Sequence, residues 1–223
     1  MNLILTTQIT GYVVALVLSL CVTVPLSVHM SNFGGRCLLF SRGSWRETDG
    51  QFEVTWTSRG YCIFSIFVGV LLFVTSLVQL YRLAFFLLKG LDSSFLSAFV
   101  DSVTSTLFSI LTLVAALFIT LGFGIWCQDI TQRFQECSYA EDKDIDKIDN
   151  IDTSGFYTLL GTAQFGAWAS WACWVGLSVC AILKICRYHQ QENVRVSMAR
   201  ERKRLVNDGL HPSQESRTEL LTD

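Results

Sequence analysis

Four stretches of this chain carry no Asp, Glu, Lys or Arg: residues 2–35, 60–81, 102–128 and 153–183. An α-helix rises about 1.5 Å per residue, so about 20 apolar residues cross the hydrocarbon core of a bilayer. Inside lipid, backbone N–H and C=O groups find no water. Only a structure that closes its own hydrogen bonds persists there, and each of the four stretches is long enough to do so as a helix. The pattern predicts an all-α membrane protein with spans at about 8–28, 62–88, 95–126 and 156–185. They form one membrane domain over residues 1–188. A tail over 189–223 follows, expected as a short basic helix around 194–206 and then disordered from Asp208.

Composition leaves little room for anything else. Hydrophobic residues make up 51% of the chain and charged residues 16%, and the mean hydropathy is +0.41. No sizeable soluble domain fits beside four spans. The first apolar stretch lacks a basic leader, and at about 20 residues it exceeds a signal-peptide core. It therefore reads as a retained span over Ile9–Val28, with Pro25 in its last turn.

An even number of spans puts both termini on one side. Lys184 and Arg187 at the edge of the last span, and Arg82 and Lys89 beside the short second connection, favour the cytosol for that side. The margin is narrow, ten bases against seven on the other face, because the first loop carries Arg36, Arg42, Arg46 and Arg59. Cysteine placement adds weight. Cys37, Cys62, Cys127 and Cys137 lie in or beside the two loops assigned to the outside, while the inner connection and distal tail have none. An even set on one face fits disulfides in an oxidising compartment. Four cysteines allow three pairings; Cys37–Cys62 with Cys127–Cys137 is favoured because each bond closes its own loop. The protein is thus expected to be multi-pass in the plasma membrane or endomembranes, with both termini cytosolic.

The first outer loop has strand character. Phe52, Val54 and Trp56 alternate with polar residues, the Asp49-Gly50 pair supplies a turn before them, and Cys37–Phe40 is an apolar run. A small disulfide-stapled β ectodomain is expected on the helix ends. The second outer loop is acidic. Asp142, Asp144 and Asp146 match the first spacings of a calcium loop, but Lys147 and Thr153 stand where its glycine and glutamate belong, so a solvated acidic face is the reading and no metal is expected.

Within the spans, Ala172, Gly176 and Cys180 recur every four residues, a small-residue stripe of the kind that lets helices approach closely. Trp168, Trp171 and Trp174 lie three apart on a neighbouring face and are read as bundle packing. The third span is rich in hydroxyls, including Ser105, Ser109 and Thr112. Arg82 and Asp101 are equidistant from the midpoint of the second connection, so a helical hairpin brings them to one height at the inner membrane boundary, where they can pair.

The chemistry of an enzyme is not found. His29, His189 and His211 are scattered, and no nucleophile elbow, phosphate loop, dinucleotide fingerprint or zinc motif is present. No catalytic residue, cofactor or nucleic-acid partner is expected. The tail carries Arg200, Arg202, Lys203 and Arg204, read either as contacts to anionic lipid or as an arginine-based trafficking signal. Cys186, one turn beyond the apolar core, is a palmitoylation candidate.

With this layout in place, the chain resembles the transmembrane protein 179 family. The matching stretches are Gly35-Arg36-Cys37-Leu38-Leu39-Phe40, Phe85-Phe86-Leu87-Leu88-Lys89-Gly90, Ser97-Ala98-Phe99, Trp126-Cys127 and the run from Ala163 to Trp171. The resemblance implies a four-helix bundle of claudin-like layout, with a cysteine-stapled β ectodomain between spans one and two. The Gly-Leu-Trp-x-x-Cys signature of claudins is absent, so a tight-junction role does not carry over. Fold analogy assigns no activity by itself. The expected role is a non-enzymatic scaffold or modulator that associates laterally with other membrane proteins or with itself. An oligomeric pore lined by span-three hydroxyls and a vesicle-trafficking tetraspan are the alternatives.

Overall fold

The computed structural model describes residues 3–47, 50–89, 95–143 and 152–210. Four helices dominate: α1 (Leu3–Asn32), α2 (Gly60–Lys89), α3 (Phe95–Ile130) and α4 (Phe156–Leu210). All four are long and apolar enough to cross a membrane. A bilayer core takes about 20 residues of helix. α1, α2 and α3 run 30, 30 and 36 residues, so each projects beyond the lipid and forms a platform at one end.

The bundle has a definite order. α1 packs on both α2 and α4, and α4 also packs on α3, whereas α2 and α3 touch sparsely. Each helix buries one stripe. On α2 it runs through Cys62, Ser65, Val68, Gly69, Leu72, Ser76, Gln79 and Leu83, the three-and-four spacing of one helical face. The opposite faces carry exposed apolar side chains such as Phe67, Val70 and Val74, suited to lipid. Where α1 crosses α4 the backbones nearly touch. A methyl group added at Gly166 would lie 2.9 Å from Cys21 Cβ, closer than such atoms pack.

Between α1 and α2 the chain builds a two-stranded antiparallel sheet, β1 (Arg42–Trp45) and β2 (Phe52–Thr55), with Trp45 opposite Phe52. β2 falls where the alternation predicts a strand. Asp49 of the predicted turn lies outside the described residues, and Gly50 has φ +68°. The apolar run Cys37–Phe40 is not a strand. Cys37, Leu38 and Leu39 are all fully buried, which a half-exposed strand of period two cannot achieve. They form instead an irregular plug over the helix ends. Phe40 takes a left-handed conformation (φ 63°), uncommon for a bulky side chain. It is held there by its N–H donating to the Gly122 carbonyl at 3.3 Å and by Thr57 Oγ1 donating to its own carbonyl at 2.7 Å.

Two further expectations change. α1 continues to Asn32, so Pro25 sits inside the helix rather than in its last turn; neighbouring helices make such prolines tolerable in membranes. The tail does not begin a separate short helix. α4 runs unbroken for 55 residues from the membrane through Leu210. No Gly or Pro occurs between Gly176 and Gly209, and the intervening Arg, Lys, Glu, Gln and Ala are good helix formers. Residues 211–223, the calcium-like positions Asp144 and Asp146, and the connection between α2 and α3 lie outside the described residues.

Candidate functional site

Three places concentrate polar chemistry or open surface: the α2–α3 seam near Lys89, the joint between ectodomain and bundle, and the outward face of α4.

At that end of the seam, Asp101 on α3 is 6% exposed and its carboxylate is fully engaged. Oδ1 accepts from Arg82 Nη1 at 2.9 Å and from Gln79 Nε2 at 3.0 Å. Oδ2 accepts from Arg82 Nη2 at 3.4 Å, and that nitrogen also donates to Ser97 Oγ at 2.5 Å. The hairpin thus brings Arg82 and Asp101 together. The charges cancel, as ionisable groups near a membrane require. Gln79 and Ser97 join the cluster without having been expected there. A signal for both does exist: Gln79 lies one turn before Arg82 and Ser97 one turn before Asp101, so both share the paired face. Because α2 and α3 otherwise touch little, this cluster stitches the end of the seam away from the sheet. Tyr61 and Phe64 of α2 close its opposite end, beneath the sheet, on Phe118 of α3, with ring centroids 5.3 and 5.5 Å apart.

At the joint, Cys37 is bonded to Cys62 and Cys127 to Cys137. The first bond ties the buried plug to the first turn of α2; the second ties the end of α3 to a short 3-10 turn at Cys137–Ala140. Asp129, which no sequence pattern marks, anchors the sheet. Its Oδ2 accepts from Gly43 N–H at 3.0 Å, and its backbone carbonyl accepts from Trp45 Nε1 at 3.2 Å. Beneath the sheet Trp126 is buried against Phe52 and Trp56, and Arg36 lies 5.3 Å over the Trp56 ring.

His29 sits under this joint, fully buried against Phe33 at 4.2 Å between rings, with neither ring nitrogen hydrogen-bonded. A buried polar group without a partner costs free energy that an apolar group of similar shape does not. His29→Leu is therefore expected to leave stability unchanged or to raise it by about 1 kcal/mol. Thermal unfolding of the purified protein checks this; a clear loss would mean that the ring has a structural partner.

The face of α4 toward the bundle is Phe156, Leu160, Ala163, Gly166, Ala167, Ser170, Trp174, Leu177 and Ala181. The stripe Ala172, Gly176, Cys180 is not part of it. Ala172 and Gly176 are exposed, Cys180 is half-buried, and a methyl group added at Gly176 would meet nothing within 4 Å. The expected close packing is made instead by Ala163, Gly166 and Ala167, rotated away from the predicted stripe. Two small-residue stripes compete on this helix, and the one that meets Cys21 of α1 wins the contact. Trp174 is buried in the bundle, and Trp168 Nε1 donates to Thr120 Oγ1 on α3 at 3.0 Å. Two of the span-three hydroxyls proposed as a lining turn back on their own helix: Ser105 bonds the Ser102 carbonyl, and Thr112 those of Phe108 and Ser109.

The arrangement is four spans, a β hairpin with a disulfide between the first two, and a second disulfide at the end of the third. A family model described as the transmembrane protein 179/179B claudin domain matches residues 4–206. The chain belongs to this family. No solved structure matches it. The match runs from the first turns of α1 through the basic cluster of α4, so the whole described bundle is the claudin domain of this family. The protein is accordingly an integral multi-pass membrane protein of claudin-like tetraspan fold.

Proposed function

We propose that the protein is a non-enzymatic tetraspan that scaffolds or modulates another membrane protein through lateral contact, with its termini in the cytosol. The observation that carries this reading is the open face along Ala172 and Gly176 on the outward side of α4. Between helices in lipid there is little hydrophobic drive, so small residues that admit a partner backbone are what favour association. Here such a stripe stands unused by the bundle. The pore alternative draws less support. Ser105 and Thr112 are buried and satisfied within their own helix, so they do not present a polar lining to a neighbouring copy.

The test is co-purification of the tagged chain in mild detergent, with quantitative mass spectrometry of the membrane proteins recovered. Gly176→Leu is expected to reduce recovery of a near-stoichiometric partner about tenfold, equivalent to about 1.4 kcal/mol. Its own thermal stability is expected not to fall, because Gly176 is exposed and an added Cβ meets nothing within 4 Å. Undiminished partner recovery sinks the role of this face. Self-association into one discrete oligomer without a partner moves the reading to a pore.

A further inference from the structure

The continuous α4 sets where the basic cluster stands. Thr106 on α3 bonds Ser178 on α4 across the bundle. Counting inward along both antiparallel helices, Asp101 at the inner boundary lies level with about residue 183 of α4. Arg200 and Arg204 are then about 25–30 Å further along the helix axis at 1.5 Å per residue. Head groups occupy roughly the first 7 Å of that distance. The cluster is left about two Debye lengths or more from the leaflet its own helix leaves, and electrostatic attraction across such a gap is largely screened. A tilt of about 20°, typical of spanning helices, changes this little. From His189 to Val206 every side chain is exposed. On the helix, Arg200, Lys203 and Arg204 share one side and Arg202 lies roughly opposite, with Glu201 between them, so basic side chains are offered on two sides of the rod.

We propose that this arm is a sorting element. The cluster Arg200, Arg202, Lys203 and Arg204 is presented to a soluble cytosolic protein that reads it through carboxylates, and is held out of reach of the bilayer from which it projects. The inference rests on the cytosolic placement of the tail. Composition favours a protein reader: among residues 195–204 four of the five bases are arginine. A guanidinium binds carboxylates and phosphates through a planar two-donor fork that lysine lacks, and with the leaflet's phosphates out of reach the carboxylates of a protein are the anions left to it. A membrane surface, in contrast, rewards lysine and arginine alike.

The full-length chain, tagged at its C-terminus, is expressed in cells and its surface fraction measured by biotinylation. R200A/R202A/R204A is expected to raise that fraction severalfold. The charge-conserving R200K/R202K/R204K is expected to do the same, and so is deletion of residues 189–198, which draws the cluster about 15 Å toward the membrane. If the lysine variant behaves as wild type while the alanine variant does not, charge alone is read and the bilayer is the partner. If none of the three changes the surface fraction, the cluster has no reader. Both results overturn the proposal. Staining of the C-terminal tag in unpermeabilised cells would instead remove the topology on which it rests, and is scored separately from the variants.

Discussion

Asp101→Leu is expected to destabilise the bundle by about 2–3 kcal/mol, read as a lower unfolding midpoint in detergent or lower abundance in cells. The substitution removes the acceptor for three donors at once. Gln79 is 6% exposed and its amide loses its bond to the carboxylate; Arg82 keeps a guanidinium in the α2–α3 seam without the carboxylate that faced it. Breaking a fully buried pair from one side costs about 3–5 kcal/mol. The Arg82 side chain is 32% exposed and can turn toward water, which sets the expected loss below that range. Removing both charges in R82L/D101L is expected to cost less than Asp101→Leu alone, because no uncompensated charge remains. Asp101→Asn keeps one acceptor and falls between. The position also matters for shape. Since α2 and α3 touch sparsely, the seam has little else at its inner end, and its opening should appear as faster proteolysis after Lys89. A double variant no more stable than Asp101→Leu would show that the carboxylate acts through packing and not through charge.

This pair is legible in the sequence because a tight helical hairpin leaves almost no freedom. Once two spans and a short connection are recognised, residues equidistant from its midpoint must share a height, and only rotation remains open. Rotation is what the sequence of α4 leaves undecided. The spacing of Ala172, Gly176 and Cys180 is that of a packing stripe, but Ala163, Gly166 and Ala167 make one too. Which stripe faces inward depends on α1, which meets α4 closely at Gly11, beside Leu177, and at Cys21, beside Gly166. A single helix does not contain that information. The ectodomain shows the same division. β2 alternates and is readable, whereas β1, Arg-Gly-Ser-Trp, has no apolar rhythm and exists because β2 pairs with it. Asp129 shows no local pattern either; its role comes from the overshoot of α3 past the membrane, which carries a carboxylate up to the sheet.

Loss of the Cys37–Cys62 bond is expected to loosen the ectodomain while leaving the four spans inserted. The bond closes 25 residues and Cys127–Cys137 closes 10. On the chain-entropy account those loops correspond to about 3.5 and about 2.7 kcal/mol respectively. Both are upper estimates here. The first loop is anchored at two helix ends that the bilayer keeps together even when the ectodomain opens, and the second at the end of α3, so each unfolded loop has less freedom to lose. We therefore expect C37S/C62S to cost about 2 kcal/mol, and C127S/C137S somewhat less. The two differ in kind as well as size. Cys37 leads directly into Leu38 and Leu39, the buried plug over Trp126 and Ile119, so freeing it lets the core of the joint open toward solvent. Cys137 tethers only a short turn at the end of α3. Limited trypsin digestion from the outer face separates them. In C37S/C62S, cleavage at Arg46 and Arg59 should become fast while the spans stay protected. In C127S/C137S, cleavage at Arg133 should accelerate and the sheet should persist, held by Asp129 and the plug. Equal protection of Arg46 and Arg59 with and without the first bond would mean that aromatic packing on Trp126 alone suffices to hold the ectodomain down.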